Sequence, residues 1–466
     1  MSSCIALLTT NRFYSNQDAS KTNKQLSHSC SFTDTLKDSH YIEWWKSFND
    51  SVCDTIIEKV LRANYGIKLS VVKHKIYTNM YKRSGLNYYP SFSSSVGYRR
   101  ERSMEFAISA DIAAKTINLE KETESHNRFL AGIDVTYDLD VWGKFRAQIK
   151  DAKLKIQLAQ LEQQSYINTI VAQTLTFYYT IQAQKQLIAL LHRNIRLLES
   201  YNQVLKDRFT RGIGSTLDID LTTQKIEALH IRINHERTVL YEMESGLFIL
   251  MAKFPHEIDS IPNTQIPDRI SDFVIPDSLS SEEIKKRPDI IAAELQLLSV
   301  QYAIGIAKAS LFPSVILSAN LHQTDKKLED FFKKNSITGM LGITMNYSDK
   351  FKSVKRSVLN EKKLLYRNTV YEYKNRLITA FHEVEKALFN YKMTHEQLVS
   401  IKKQIHVSNH IFKEMDERYK NGLVLYQNLL DVQNDLFNAQ EKKIVIENNL
   451  IMQKIGLHKA VGGEWE

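Results

Sequence analysis

Glycine, proline and cysteine are all scarce in this chain of 466 residues, which has 15 glycines, 7 prolines and 3 cysteines. Average usage is about 7% glycine and about 5% proline. Because 43% of the residues are hydrophobic, this scarcity excludes both a disordered chain and a loop-rich β-sandwich. The three cysteines (Cys4, Cys30 and Cys53) cannot all pair and lack metal-ligand spacing, which excludes a disulfide framework and predicts no metal site.

The sequence also lacks an apolar run long enough for a transmembrane helix. The longest charge-free helical stretch, Gln163 to Gln184, contains Gln, Asn, Ser and Thr throughout, whereas a membrane-spanning helix needs about 20 mainly apolar residues. We therefore expect no helix to cross a membrane. Insertion through β-strands stays open, because barrel strands alternate in polarity and leave only a weak hydropathy signal.

The prolines are concentrated in one part of the chain. Five of the seven lie between Pro255 and Pro288, and the flanking stretches 91–254 and 314–466 contain none. This distribution predicts two halves joined by a linker. The predicted segments are an N-terminal arm (1–40), a first half (41–254), a Pro-rich linker (255–280) and a second half (281–466).

Two stretches without glycine or proline predict very long helices. One lies between Gly143 and Gly212, the other lies between Gly342 and Gly422, and both consist mostly of good helix formers. Each helix would be about 100 Å long. Apolar residues recur at heptad-like steps with polar residues between them, which suits either a soluble antiparallel coiled coil or the wall of a hollow helical cylinder. The predicted helices are 143–211, 213–254, 350–421 and 423–460.

The two halves repeat each other at a constant offset of 210 residues. Arg208-Phe209-x-x-Gly212-Ile213 matches Arg418-Tyr419-x-x-Gly422-Leu423, and Gly132-Ile133 matches Gly342-Ile343. Each half is therefore predicted to contain a pair of strands, a long helix, a tight turn and a returning helix. Gly212 and Gly422 would supply the positive φ that such a helix reversal requires.

Strict alternation of apolar and polar residues predicts four strands of about ten residues, the length of a tilted membrane-spanning strand. Aromatic residues lie near the strand ends, where an aromatic girdle would lie. The charged connections between them, 99–128 and 322–336, are predicted to be exposed loops. Two hairpins on a soluble core would explain the alternation equally well. In a bilayer, four strands cannot close without unpaired edges, so the membrane interpretation predicts an oligomer. The predicted strands are 90–99, 129–141, 313–321 and 337–347.

Several short motifs together resemble the TolC-like outer membrane factors, in particular the NodT-type branch that works with drug-efflux pumps. They follow the order of that family from about residue 41 to the C-terminus. The matching stretches are Trp44-Trp45-x-x-Phe48, Tyr137-Asp-Leu-Asp-Val-Trp-Gly143, Arg208-Phe-Thr-Arg-Gly212, Arg287-Pro-Asp-Ile290, Gly305-Ile-Ala-Lys-Ala309 with Phe312-Pro-Ser314, Arg418-Tyr-Lys-Asn-Gly-Leu423 and Lys459-Ala-Val-Gly-Gly-Glu-Trp465.

The resemblance implies a mainly α protein with a small β part that acts as a homotrimer. Four strands from each of three chains would form one twelve-stranded barrel in the bacterial outer membrane, continued by a helical tube in the periplasm. A periplasmic adaptor and an inner-membrane pump would dock at the closed tip and open it. The channel would be a passive exit duct for small molecules and drugs, without a cofactor and without enzymatic chemistry.

The resemblance also implies a gate just after the two glycine turns. Asp218, Tyr419 and Asp431 match gate-region positions of the family, and three inward-facing copies of Asp431 would create a cation-selective field. The sequence departs from the family pattern at two positions. Asn428 stands where some members have an aspartate, and Gln427 stands where some have an apolar constriction residue.

The N-terminus resembles the end of a lipobox. Many NodT-type members are acylated on a cysteine that follows a signal sequence. Met1-Ser2-Ser3-Cys4 resembles the end of such a lipobox without a charged or apolar segment before it, so an ordinary cysteine is the alternative. Cys4 is therefore a candidate lipid-attachment residue. The apolar residues that follow it, Ile5 to Leu8, are too few for a signal peptide.

Three alternative functions were weighed against the efflux channel. The sequence contains none of the common hydrolase, nucleotide-binding or metalloprotease motifs, which argues against an enzyme. The net charge of +9 suggests a soluble coiled-coil scaffold or a nucleic-acid-binding protein, but Lys and Arg are dispersed among acids along the helices. Neither of these explains the alternating strands or the 210-residue repeat. A duct for type I protein secretion stays open as the closer alternative. The exported substrate and the docking pump cannot be read from the sequence.

Overall fold

The computed structural model describes residues 43–111, 116–254, 284–325, 327–333, 337–347 and 352–462. The predicted arm 1–40, with Cys4 and Cys30, and the predicted linker 255–280 lie outside the described residues. Four strands and eight α-helices are described, and a short 3-10 helix, Trp44–Phe48, precedes them. The helices are α1 (Ser51–Ala63), α2 (Tyr65–Leu86), α3 (Lys144–Thr210), α4 (Thr216–Leu250), α5 (Pro288–Ala309), α6 (Leu328–Phe331), α7 (Lys352–Lys420) and α8 (Tyr426–Val461).

The four long helices are α3, α4, α7 and α8, and their bounds agree with the predicted bounds to within a few residues. The helices α3 and α7 contain 67 and 69 residues, so each is about 100 Å long. They begin after Gly143 and after residue 351, and they end just before Gly212 and Gly422. Uninterrupted helix formers thus continue each helix as far as the glycine turn that follows it, whereas only α3 also begins at a glycine, Gly143.

The short helix Trp44–Phe48 packs on the C-terminal end of α8. Trp44 stacks on His458 with ring centroids 4.9 Å apart, and the Lys454 ammonium lies 4.2 Å from the centre of the Phe48 ring. Lys454 also donates a hydrogen bond to the Ser47 carbonyl oxygen at 3.3 Å. Burial lowers the pKa of Lys454 to about 8. Aromatic residues of the first sequence motif therefore enclose a buried cation of the last helix.

The strands form one antiparallel sheet in the order β1-β2-β3-β4. The first pair is much longer than predicted, because the chain stays in strand conformation through most of 99–128. The predicted exposed loop at 99–128 is wrong: Arg99 pairs with Arg128, and the ladder continues as far as Asp111 and Thr116. The β3–β4 connection instead contains the short helix α6. The strands are β1 (Ser91–Asp111), β2 (Thr116–Leu139), β3 (Ser314–Asp325) and β4 (Ile337–Asn346).

The four-stranded part of the sheet has one apolar and one polar face. Residues that are directly paired lie on the same face, and the register aligns Phe92 with Val135, Val135 with Ala319 and Ala319 with Leu341. Large apolar side chains on this face are exposed within the single chain. They include Phe92, Val96, Ile133, Leu321, Leu341 and Ile343. The opposite face carries polar residues such as Ser93, Asp134 and Asn320, which occupy one cross-strand row.

The chain divides into two compact units that do not follow the two sequence halves. The first unit comprises Met1–Tyr65, Tyr166–Asp277 and Lys386–Glu466. The second comprises Gly66–Ser165 and Ser278–Glu385, and it contains the sheet. Each unit therefore takes residues from both predicted halves. In the first unit, one core cluster joins residues of α3, α4, α7 and α8.

Among the described residues, α5 is long and apolar enough to cross a membrane by length and composition alone, which the sequence did not lead us to expect. Its polar side chains, however, bind neighbouring helices of the second unit. Glu294 accepts a hydrogen bond from the Tyr373 hydroxyl at 3.0 Å. At its start, the Arg287 guanidinium lies 2.9 Å from Asp289 and 2.8 Å from Glu383. These contacts are those of a helix packed between α3 and α7.

Candidate channel gate at the helix reversals

The two helix reversals share one backbone geometry. Gly212 and Gly422 have φ values of 77° and 74°. In the first turn, the amide of Gly212 donates to the Phe209 carbonyl at 2.9 Å, and the amide of Ile213 donates to the Arg208 carbonyl at 3.0 Å. The second turn makes the equivalent bonds at 3.0 and 2.9 Å. This is a Schellman motif, in which a residue with positive φ satisfies the last carbonyls of a helix.

Both turns lie at the end of one hydrophobic cluster in the first compact unit. The cluster takes residues from all four long helices, so it holds the two reversals together. Its buried members next to the turns are mostly leucine and tyrosine. They include Leu198, Leu205, Ile226, Tyr419, Tyr426, Leu429 and Leu430.

The candidate residue Tyr419 lies inside this cluster and is 4% exposed. The Arg208 guanidinium lies 4.7 Å from the centre of its ring, a cation–π contact between α3 and α7. The ring of Tyr426 lies 5.6 Å away. Burial raises the pKa of the Tyr419 phenol, while the positive charge of Arg208 opposes that rise. The phenol is therefore neutral at physiological pH and acts as a packed ring.

A hydrogen-bonded group connects α3 to α7 beside this ring. The Tyr201 hydroxyl donates to Asp416 Oδ1 at 2.8 Å, and Lys420 Nζ lies 2.6 Å from Asp416 Oδ2. Burial and the neighbouring Asp416 raise the pKa of Tyr201. Asp416 thus accepts bonds from both helices. No local pattern indicates its contact with Tyr201, because the two residues are 215 positions apart.

The candidate residue Asp218 lies half-buried in the first turn of α4. The Thr222 hydroxyl lies 2.7 Å from the Asp218 carbonyl oxygen and 3.0 Å from the Tyr426 hydroxyl. Burial raises the pKa of Tyr426, and the negative charge of Asp218 adds to that rise. The structure therefore brings Asp218 and Tyr419 together around Tyr426.

The remaining candidates, Gln427, Asn428 and Asp431, are exposed on the first turns of α8. Gln427 Nε2 donates a hydrogen bond to Asp431 Oδ1 at 3.1 Å. Burial lowers the pKa of Lys225 on α4, and the negative charge of Asp431 acts against that lowering. Asp431 therefore sits on an exposed face close to Lys225, separate from the tyrosine cluster.

Three residues that shape this region, Tyr426, Arg208 and Gly214, were not among the predicted gate residues. Tyr426 and Arg208 both contact Tyr419, yet only Arg208 belonged to a repeated motif. A Cβ atom at Gly214 would lie 2.7 Å from the Phe209 backbone nitrogen, so the first turn also needs a second glycine. The spacing Gly-x-Gly after Phe209 was the available signal for that requirement.

Comparisons with known proteins agree with this architecture. A family model described as outer membrane efflux protein matches residues 78–248 and 279–463. The probable efflux pump outer membrane protein TtgC of Pseudomonas putida is 24% identical over 91% of this chain and 85% of its own length. The cation efflux system protein CusC of Escherichia coli O157:H7 is 22% identical over 91% of this chain and 88% of its own length.

Solved structures show the same fold. The outer-membrane channel OprN superposes with a TM-score of 0.82 at 19% identity, covering 92% of this chain and 94% of that one. The Campylobacter jejuni CmeC outer membrane channel gives 0.80 at 20% identity, covering 91% and 88%. These likenesses confirm the predicted TolC-like fold class, whereas the NodT-type branch stays a prediction. Because the family model matches well over half of the chain, the chain belongs to the outer membrane efflux protein family and is the outer membrane channel of an efflux system, with its helices on the periplasmic side.

Proposed function

We propose that three copies of this chain form one closed channel, a passive exit duct for small molecules that an inner-membrane pump expels through a periplasmic adaptor. The observation that carries the proposal is the open sheet. Among the described strands, β1 and β4 each pair with one neighbour only, and an unpaired edge is very costly in hydrocarbon. Pairing β4 of one copy with β1 of the next removes every edge once the ring closes.

Two helices of the second unit, α2 and α7, expose apolar side chains that a neighbouring copy could cover. Polar contacts connect α2 to α3 (Lys73 to Glu162, 2.6 Å), α3 to α5 (Asp151 to Ser299) and α5 to α7 (Glu294 to Tyr373, 3.0 Å). The outer members of this series, α2 and α7, adjoin the edge strands β1 and β4 in sequence. Each carries an exposed apolar stripe, formed by Leu69, Val72, Ile76 and Met80 on α2 and by Leu364, Tyr371 and Ile378 on α7.

These stripes support a head-to-tail assembly of identical copies. Exposed apolar stripes of this length mark interaction sites, and a heterologous interface that closes on itself gives a ring. With four strands per chain, three chains provide the twelve strands that the resemblance implies. The polar face of the sheet would then line the lumen and the apolar face would contact lipid.

The helix reversals supply a docking surface for an adaptor. Ile213, Leu217, Leu423 and Leu425 are between 63% and 75% exposed. These apolar side chains lie at the reversal ends of the four long helices, and they are exposed to solvent in the single chain. We infer that the adaptor covers them, and that Asp218, Tyr419 and Asp431, with Gln427 and Asn428, form the periplasmic gate that this docking opens.

Efflux of small molecules is favoured over type I protein secretion as the transported class. The relatives reported above are named for efflux pumps or cation efflux. Toluene efflux and pyoverdine export are named among the others. Since the pump selects the cargo, the channel itself needs only a polar lumen, and the polar sheet face provides one.

The assembly is tested first by the protein mass of detergent-extracted material, measured by light scattering corrected for bound detergent. Three times 54.0 kDa, or 162 kDa, is expected. A monomeric protein in the outer membrane extract would contradict the shared barrel.

The gate is tested by single-channel conductance in planar bilayers. Asp431→Ala, alone and with Asp218→Ala, is expected to make the resting channel leakier, because each removes a carboxylate beside a helix reversal. Glu242→Ala is the matched control, since it removes an exposed carboxylate of α4 about 36 Å along the helix from Asp218. If the conductance is unchanged in both gate variants, Asp218 and Asp431 do not contribute to the gate.

A further inference from the structure

Two aromatic contacts lie at opposite ends of the four-stranded part of the sheet. At the end next to the helices, Trp142 stacks on Phe312 with ring centroids 4.5 Å apart. At the far end, the rings of Tyr98 and Phe129 lie 5.2 Å apart. Ten residue steps along β2 separate Phe129 from Leu139, about 34 Å along the strand and about 25 Å across the bilayer at the usual tilt. This matches the apolar band of an outer-membrane barrel.

Two arginines follow on the same face of β1, immediately beyond the outer aromatic pair. Alternation along a strand puts Arg100 and Arg102 on the face of Tyr98, and the register pairs Arg100 with Asn127. Both arginines are exposed. They lie about 7 and 14 Å along the strand from Tyr98, a position at the headgroup level of the outer leaflet. Glu101 occupies a register position on the opposite face.

The β3–β4 connection adds lysines at the same end of the sheet and on the same side. Gln323, which pairs with Ile337 on the apolar face, donates a hydrogen bond to the Phe331 carbonyl oxygen of α6. Lys327 and Lys333 flank this short helix, and the Lys333 ammonium is ion-paired with Asp330 of the same helix, so Lys327 is the lysine considered further. Leu328 and Phe332 beside them are 56% and 80% exposed. Apolar side chains next to cations suit the boundary between lipid tails and headgroups.

We propose that Arg100 and Arg102, supported by Lys327, bind the phosphate groups of the glycolipid in the outer leaflet of the outer membrane. The inference rests on the proposed function, because it needs the apolar face to contact lipid. A guanidinium recognises a phosphate through two parallel hydrogen bonds. Two separate segments, β1 and the α6 connection, bring cations to one side of one rim. The aromatic pair below them fixes the height of that rim relative to the hydrocarbon.

The test is a titration of the detergent-purified trimer with bisphosphorylated lipid A and with the same lipid after removal of its phosphates. Bound lipid is counted by native mass spectrometry. Each basic residue near an anionic membrane surface contributes about a factor of five in affinity. The double variant Arg100→Gln/Arg102→Gln is therefore expected to bind the phosphorylated lipid about 25-fold more weakly. Removal of the phosphates should weaken binding to the wild type comparably.

Two further variants keep the test specific. Arg100→Lys/Arg102→Lys retains the charge and should keep most of the affinity. Arg193→Gln/Arg196→Gln removes two exposed arginines of α3 and should bind like the wild type. Unchanged affinity in Arg100→Gln/Arg102→Gln would overturn the proposal, as would equal binding of phosphorylated and dephosphorylated lipid. Failure of the proposed function itself would appear separately, as a wild-type protein that is monomeric or does not conduct.

Discussion

The two helix reversals have the same backbone and place their aromatic residues in opposite environments. Phe209 and Tyr419 occupy equivalent positions of the repeat, three residues before a glycine with positive φ. Phe209 is 47% exposed, whereas Tyr419 is 4% exposed. The two Schellman hydrogen bonds differ by no more than 0.1 Å between the turns. Local sequence therefore decides the turn, and the neighbouring helices decide which ring becomes part of the core.

The capping of the returning helices differs as well. Ser215 caps α4, because its hydroxyl accepts a hydrogen bond from the Leu217 amide at 3.2 Å. Leu425 stands at the equivalent position before α8 and makes no side-chain cap. The second turn relies on the packing of Tyr419 and Tyr426, while the first relies on local hydrogen bonds and on Gly214. Four predictions follow from this difference in the source of stability.

The largest effect is expected at the two aromatic positions. Tyr419→Ala should lower the free energy of unfolding by about 3–5 kcal/mol, the usual cost of removing a buried aromatic ring. Phe209→Ala should cost about 1 kcal/mol or less, because much of its ring is already in water. Denaturant midpoints of the purified trimer compare the two variants, with Tyr419→Phe as the control that keeps the ring. Equal losses would contradict the difference in packing between the turns.

A smaller effect is expected at the second glycine of the first turn. The Cβ of Gly214→Ala would lie 2.7 Å from the Phe209 nitrogen and 3.0 Å from its Cα, so the backbone must shift at a cost of about 1–3 kcal/mol. The second turn carries Val424 at the equivalent position, and Val424→Ala serves as the matched comparison. If thermal unfolding of Gly214→Ala matches the wild type, the close approach in the first turn is not required.

The helix cap offers a still smaller contrast. Ser215→Ala should reduce stability by about 1 kcal/mol, because the Leu217 amide loses its acceptor. Leu425→Ser should act in the opposite direction at the second turn, since it introduces a cap where none exists. The transition temperatures of both variants measure the effect. If Leu425→Ser also lowers the transition temperature, the packing of the Leu425 side chain contributes more stability than the new cap.

The smallest effect is a dependence of stability on pH, which is expected only at alkaline pH. Burial raises the pKa of Tyr419, Tyr426 and Tyr201 in the folded state. Their neutral forms therefore stabilise the fold fully below pH about 10, the ordinary pKa of tyrosine, and this contribution is lost as the pH rises above it. Unfolding midpoints across that range should fall less steeply for Tyr419→Phe. Parallel curves for the variant and the wild type would exclude Tyr419 from this dependence.

The sequence predicted the long helices well and the first strand pair poorly. Uninterrupted helix formers define the lengths of α3 and α7 without reference to any neighbour, and a glycine turn follows the end of each helix. The segment 99–128 is rich in charge and was therefore predicted to be a loop. Residues 99–111 instead pair with residues 116–128 as an antiparallel ribbon. A charged side chain is unfavourable in hydrocarbon, but it does not prevent backbone pairing between strands. The prediction relied on polarity alone, and it therefore ended the first strand too early.

The apolar character of α5 was also missed. We expected no helix long and apolar enough to cross a membrane, whereas α5 is one by length and composition. Glu294 and the start of α5 nevertheless make polar contacts with α7. Among the candidate gate residues, Asp218 and Tyr419 are brought together, and Asp431 lies apart on an exposed face. Counting from the glycines gave positions along the helices but no information about which residues face the core.

The sequence by itself determined where the helices begin and end, where the chain reverses, and how apolar and polar residues alternate in the four-stranded part of the sheet. These properties depend on backbone conformation and on the periodicity of neighbouring residues, which act over a few positions. Only the tertiary structure decided that Tyr419 is buried while Phe209 is exposed, and that Arg208 and Asp416 contact tyrosines of distant helices. Burial is a property of packing between segments some 200 residues apart, and no local pattern encodes it.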